Sequence, residues 1–150
     1  MDTIAEFRYQ EEKVPEDSVA FEFTISGLQG GHSGDDIHKN RGNANKILTR
    51  FLWSAVRRFD ARIAKIDGGN LRNAIAREAS AIITVPENQK KKLVAAFNRF
   101  AQDVKFEFEK NEPYLRLKYN ETELPDFVFD GTTQGNLLSA LFACPHGILE

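Results

Sequence analysis

The chain has 150 residues and a mass of 17.0 kDa, material for one domain. Its 20 basic and 22 acidic side chains leave a formal charge of −2, which with a pI near 6.0 excludes a generally basic nucleic-acid binder. A hydrophobic content of 41% excludes a disordered chain, and the single cysteine, Cys144, excludes an internal disulfide and fits a reducing compartment.

The first segment, Met1–Asp17, is acidic, with Arg8 and Lys13 its only basic side chains. It lacks the charged-then-apolar pattern of a secretory leader, and no apolar run in the chain approaches the roughly 18–20 residues of a membrane span, so a cytoplasmic location is expected. Val14-Pro15-Glu16-Asp17-Ser18 reads as a turn. Val19, Phe21, Phe23 and Ile25 then alternate with Ala20, Glu22, Thr24 and Ser26, the period-two pattern of a half-buried strand. Glycines at 27, 30, 31 and 34 stop regular structure. From Ala44, the residues Ile47, Leu48, Phe51, Leu52, Ala55 and Phe59 form one apolar stripe at helical spacing, with Asn43 as N-cap and Arg50, Arg57 and Arg58 off the stripe.

Ile63–Ile66 predicts a short strand entering a turn at Gly68-Gly69-Asn70, and Glu78–Val85 a second strand with Ala79, Ala81, Ile83 and Val85 on one face. Pro86 ends it and can begin a helix whose stripe is Leu93, Ala96, Phe97, Phe100, Ala101 and Val104, with Lys90, Lys91 and Lys92 as a solvated face. Lys105–Lys110 alternates around Phe106 and Phe108, and Tyr114–Tyr119 around Leu115 and Leu117, with Asn111-Glu112-Pro113 a hairpin turn or bend between them. After Leu124-Pro125-Asp126, Thr132–Cys144 reads as a helix, and the chain stops on the uncapped apolar pair Ile148-Leu149, as if cut. The order β-α-β-β-α-β predicts an α+β sandwich: an antiparallel β-sheet with two helices on one face.

Three histidines and one cysteine are too few to build a two-metal hydrolase site within this chain. The densest chemistry is Gly30-Gly31-His32-Ser33-Gly34-Asp35-Asp36-Ile37-His38. A lipase-type elbow around Ser33 fails, because G-x-S-x-G needs glycine where Asp35 stands. No phosphate-loop pattern is present. A metal site from His32, Asp35, Asp36 and His38 would draw every ligand from one loop, with none from a second rigid element. Two readings stay open: a strand-to-helix connection whose polar groups satisfy the backbone, or glycines that leave the His32 imidazole bare to donate to a developing oxyanion. A second segment, Gly68-Gly69-Asn70-Leu71-Arg72-Asn73-Ala74-Ile75, is either a simple β-turn or a carboxylate clamp of guanidinium and amides.

Together the segments Gly27–His38, Asn43-Ala44-Asn45-Lys46 and Ile66–Ile75 resemble the aminoacyl-histidine dipeptidases, which belong with the carnosinase-like di-zinc exopeptidases; Cys144-Pro145-His146-Gly147-Ile148 resembles the stretch where their catalytic domain resumes. The resemblance implies a lid and dimerisation domain, residues 18–124, between a flank of the catalytic domain at 1–17 and a return into it at 125–150. It implies that the two divalent metal ions, expected to be zinc, are held by the catalytic domain, with none in this chain. The partners implied are that domain, a homodimer partner and a dipeptide substrate of the Xaa-His type. His32 aligns with the lid histidine that stabilises the oxyanion, and Asn73 with the asparagine that meets the substrate carboxylate or the oxyanion, with Arg72 and Asn70 as neighbours. The family commonly has proline where this chain has Ala76, so the turn holding Asn73 is less rigid. On this reading the chain alone has no peptidase activity.

Two rivals come from other classes. An RNA-recognition domain shares the element order, but the Glu78–Val85 strand has no aromatic residue and the net charge is negative. A small-ligand or regulatory α+β binding module is the other, and it would bind with no dependence on His32. His38 and His146 are expected at the surface or in structural roles, Cys144 as an inert packing residue, and the Asn120-Glu121-Thr122 sequon as accidental.

Overall fold

The structure is a computed structural model and describes residues 4–147. Met1 and the terminal Ile148-Leu149-Glu150, with the reading of an apolar ending placed on them, lie outside the described residues. Among the described residues eight strands are formed: β1 (Glu11–Glu12), β2 (Ser18–Ser26), β3 (Gly31–His32), β4 (Arg62–Gly68), β5 (Ala74–Ile75), β6 (Ala79–Pro86), β7 (Arg116–Thr122) and β8 (Val128–Phe129). Three α-helices join them: α1 (Ala44–Phe59), α2 (Lys90–Glu107) and α3 (Gly131–Ala143).

The four long strands make one antiparallel sheet in the order β4-β6-β2-β7. Its register puts Phe23 opposite Ala81 on one side and Tyr119 on the other, and Ile25 opposite Ala79 and Leu117, so the apolar sets of three strands share a face. Both long helices close that face. The Phe23 ring lies 4.7 Å from Phe51 of α1 and 4.7 Å from Phe97 of α2, and those two rings are 4.9 Å apart. One sheet aromatic meeting one aromatic from each helix is the centre of the core, and it bears out the expected sandwich. The small partners Ala79 and Ala81 leave room for these rings. A bulge between Ile63 and Lys65 returns β4 to register, and at its start Ile63 is fully buried.

Asn43 caps α1 as expected, accepting from the backbone N–H of Asn45 at 3.0 Å and Lys46 at 3.4 Å. The tail helix also forms, capped by Asp130, whose Oδ1 accepts from Thr133 N at 2.8 Å. It packs as a third helix against α1 and β4 rather than standing apart. Buried Gln134 accepts from Ile63 N at 3.1 Å and donates to Ala61 O, Leu138 is 1% exposed, and Trp53 stacks on Phe142. Lys46 donates to the free carbonyls of Leu141, Phe142 and Cys144 at 3.0, 2.8 and 2.6 Å, which caps the C-terminus of α3 from outside.

Two readings of the sequence are corrected. Lys105–Glu107 continues α2 instead of alternating as extended chain, and Phe106 points to solvent at 80% exposure. The helix persists because Val104 is fully buried and Glu107 forms a paired bond to Arg50 at 3.1 and 2.9 Å. Cys144 is exposed, not packed, because it lies past the last turn of α3, where its backbone rather than its side chain is engaged.

Candidate functional site

Two short strands that no periodicity marks bring the glycine-rich segments together. β3 pairs with β5 antiparallel, with Gly31 opposite Ile75 and His32 opposite Ala74, and Ser33 N donates to Asn73 O at 2.9 Å. The His32 and Asn73 segments, about forty residues apart in the chain, are therefore neighbours across one ladder. The helix end fixes them from below. Ala44 N donates to Ala76 O at 2.9 Å, and Asn45 Nδ2 reaches Gly68 O at 3.5 Å. A Cβ on Gly68 would collide with the Asn45 amide and with Ala79, so glycine is required at that crossing.

The His32 ring is half exposed, with 52% of its side chain open to solvent. Its Nδ1 accepts from the backbone N–H of Gly34 at 3.1 Å and of Asp35 at 3.2 Å. Acceptance at Nδ1 puts the ring proton on Nε2, and Nε2 has no partner among the described residues. The loop thus presents an imidazole whose Nδ1 accepts and whose Nε2 is left to donate. The Asp35 carboxylate lies 3.8 Å from Nδ1 on a side chain that is 90% exposed.

Asp36 holds the backbone under that ring. Its Oδ2 accepts from His32 N at 2.8 Å and pairs with Arg41 Nη1 at 3.3 Å, and its Oδ1 pairs with Lys39 Nζ at 2.6 Å. The Lys39 hydrogen bond first, then the His32 N–H, with Arg41 adding attraction, hold the Asp36 carboxyl down at about 2. Arg41 also donates to Gly30 O at 2.6 Å, so one guanidinium spans the loop.

Glu112 was not singled out by the sequence, yet it is 3% exposed and its two oxygens are both used. Oε2 accepts from Gln29 N at 2.7 Å and Oε1 from Gly42 N at 2.8 Å. Lone glutamates in turns are common, and nothing in Asn111-Glu112-Pro113 signals burial. The available hint is Gly42, where a Cβ would press within 2.6 Å of the Leu28 side chain.

Asn70, Leu71, Arg72 and Asn73 are exposed on the β4–β5 connection, and the Asn73 amide has no side-chain partner among the described residues. Asn70 and Leu71, but not Arg72 or Asn73, rim an open groove of about 690 Å³ that runs past Asp67, Arg77 and Ser80 onto the uncovered sheet face. His38 is exposed in the 3₁₀ turn Ile37–Lys39, and His146 touches Asn43 Nδ2 and Arg41 O, each at 3.3 Å. The four loop residues His32, Asp35, Asp36 and His38 do not fit a metal. Among the described residues no three His, Cys, Asp or Glu side chains gather as a ligand set, and His32 Nδ1 and the Asp36 oxygens already carry partners. No helix of the described residues is long and apolar enough to cross a membrane.

A two-layer α+β domain that offers a bare histidine donor from a tied loop, beside an asparagine in the turn that leads into the facing strand, is the class these features define. The chain belongs to the M20 peptidase dimerisation domain family, whose model matches residues 19–112. It is 34% identical over its whole length to the cytosol non-specific dipeptidase of Escherichia coli (strain K12), and spans 31% of that protein. It is 37% identical to the aminoacylhistidine dipeptidase of Vibrio alginolyticus, whose crystal structure it matches with a TM-score of 0.92 over 96% of this chain and 29% of that one. The aminobenzoyl-glutamate utilization protein of Klebsiella pneumoniae, 12% identical, matches 74% of this chain and 29% of its own with a TM-score of 0.55, a likeness of fold alone. The resemblance to the aminoacyl-histidine dipeptidases is thereby borne out, and this chain covers under a third of the length of those relatives.

Proposed function

We propose that this chain is the lid and dimerisation part of a metal-dependent, cytoplasmic aminoacyl-histidine dipeptidase, a hydrolase acting on Xaa-His dipeptides. Residues 18–124 form the lid, 1–17 the flank leading from the catalytic domain, and 125–150 the return into it. The catalytic domain holds two divalent metal ions, proposed as zinc, which supply the activated water for attack on the peptide carbonyl. The partners are that domain, a second copy of the same protein and the dipeptide.

Within this chain, His32 has the catalytic role. The imidazole, donating from Nε2, stabilises the negative oxygen that forms as the carbonyl becomes tetrahedral. Because the loop ties already fix the ring, little reorganisation accompanies the reaction. Asn73, with Arg72 and Asn70 on the same connection, binds the substrate carboxylate through amide and guanidinium donors. The observation that carries this reading is the pair of backbone donors on His32 Nδ1, which leaves its other nitrogen as a donor on a loop whose backbone adjoins that of Asn73.

The test is made in the full-length enzyme. His32→Ala should lower kcat for a Xaa-His dipeptide by about 10²–10³-fold with KM little changed. The 150-residue chain alone, supplied with zinc, should release no histidine from the same substrate. An unchanged kcat in the variant, or turnover by the chain alone, overturns the assignment.

A further inference from the structure

The loop from Gln29 to Gly42 carries His32, and both of its ends are held by one side chain. The Glu112 carboxylate is buried, arrives from the turn between α2 and β7, and spends one oxygen on each end. Gln29 adds a side-chain bond to Asn111 O, and Asn111 Nδ2 donates to Asn40 O at 3.1 Å, so the same turn touches the loop at four points. Inside that outer closure lies the inner one, Asp36 with Arg41 and Lys39, on which the His32 backbone rests.

We propose that Glu112 is a positioning residue for His32: by clamping Gln29 N and Gly42 N it closes the loop at a fixed span, and that span sets the turn in which Gly34 N and Asp35 N meet the ring. Rotational freedom is the alternative. A loop with untied ends samples many closures, and few of them bring two successive N–H groups onto one imidazole nitrogen. A carboxylate is needed rather than an amide, because both partners are N–H donors and a glutamine offers one oxygen with an NH₂ that faces the second donor. This inference rests on the assignment of His32 above for its catalytic meaning, but its geometry does not.

The experiment is imidazole ¹⁵N NMR of the 150-residue chain and its variants, with backbone amide spectra as the control for folding. In the parent chain His32 should give a pyridine-type signal at Nδ1 and a pyrrole-type signal at Nε2. In Glu112→Gln that distinction should be lost to an average of tautomers, and the amides of residues 30–38 should broaden, while core amides of β2 and β6 stay in place. Glu112→Asp, which keeps the acceptor pair on a shorter arm, should restore part of the distinction. An unaltered His32 signature in a folded Glu112→Gln chain overturns the proposal. If that variant fails to fold, hydrogen exchange in the parent chain decides: the Gln29 and Gly42 amides should exchange together and more slowly than those of residues 33–36, and independent exchange overturns the clamp. In the full-length enzyme Glu112→Gln should lower kcat by about 10²-fold with KM held. A lost ring signature combined with a harmless His32→Ala would leave the clamp standing and remove the catalytic reading.

Discussion

Asp36 shows how one side chain decides whether a histidine points or wanders. Its carboxylate is bound by Lys39 Nζ, His32 N and Arg41 Nη1, and all three favour the charged form. The carboxyl in the folded loop sits at about 2, below the ordinary 3.8. A group depressed in this way stabilises the loop fully above its unfolded value and loses that contribution as the pH falls through the folded one. Acid titration of the His32 amide, followed by its proton shift, should therefore show a midpoint near 2. Asp36→Asn should remove the transition and speed exchange of the His32 amide at neutral pH. A midpoint at an ordinary carboxylate value would mean that the three partners do not act on Asp36 in solution. Ser33 and Asp35 carry no comparable set of contacts, although the sequence gives them the same standing within the loop. Their difference from Asp36 comes from where Arg41 and Lys39 return, which is a property of the folded turn.

At the scale of elements, what was legible followed periodicity. The stripe Ala44–Phe59 and the alternation Val19–Ser26 are long enough that burial dominates local preference, and both formed as read. The Asn43 cap was legible because capping needs only one side chain and the two amides that follow it. β3 and β5 were not, since two residues have no period, and they exist only because α1 and β4 bring their backbones side by side. For the same reason His32 and Asn73 could be read as two sites of interest but not, from residue pattern, as one place. The false alternation at Lys105–Lys110 has a physical origin as well. Two exposed charges around Phe106 mimic a strand, but the i, i+4 packing of Phe100 and Val104 belongs to the helix. The glycines separate by the same logic. Gly27 has φ +78°, and a Cβ there would run into the Tyr114 carbonyl, whereas Gly131 begins α3 with open space around it. Gly27→Ala should cost about 1–3 kcal/mol in urea unfolding, and Gly131→Ala no more than about 0.5 kcal/mol in either direction. Equal effects would show that the β2–loop junction tolerates a side chain and does not set the loop's departure angle.

For the whole molecule the question is how far the folded unit extends beyond the matched residues 19–112. β1 and β8 pair with each other, Glu11 opposite Phe129 and Glu12 opposite Val128, so the two flanks meet outside the main sheet. Arg62 of β4 joins them, paired to Glu12 and donating to Phe129 O at 3.2 Å. α3 then covers the start of β4 and the outer side of α1, with Leu138 and Gln134 buried. These contacts make residues 125–147 a cover for the domain, whatever lies further along the chain. Cutting after Leu124 would expose what Leu138 covers, worth about 2 kcal/mol, and leave Ile63 N and Ala61 O without their Gln134 partners, about another 2 kcal/mol together. A chain of residues 1–124 should thus be less stable than the 150-residue chain by about 4 kcal/mol, read as a lower urea midpoint. Lys46→Met in the longer chain should reproduce a smaller part of that loss, because it removes the charged cap from the α3 carbonyls while keeping the aliphatic stem. If the shorter chain unfolds at the same midpoint, α3 contributes nothing to the stability of this domain.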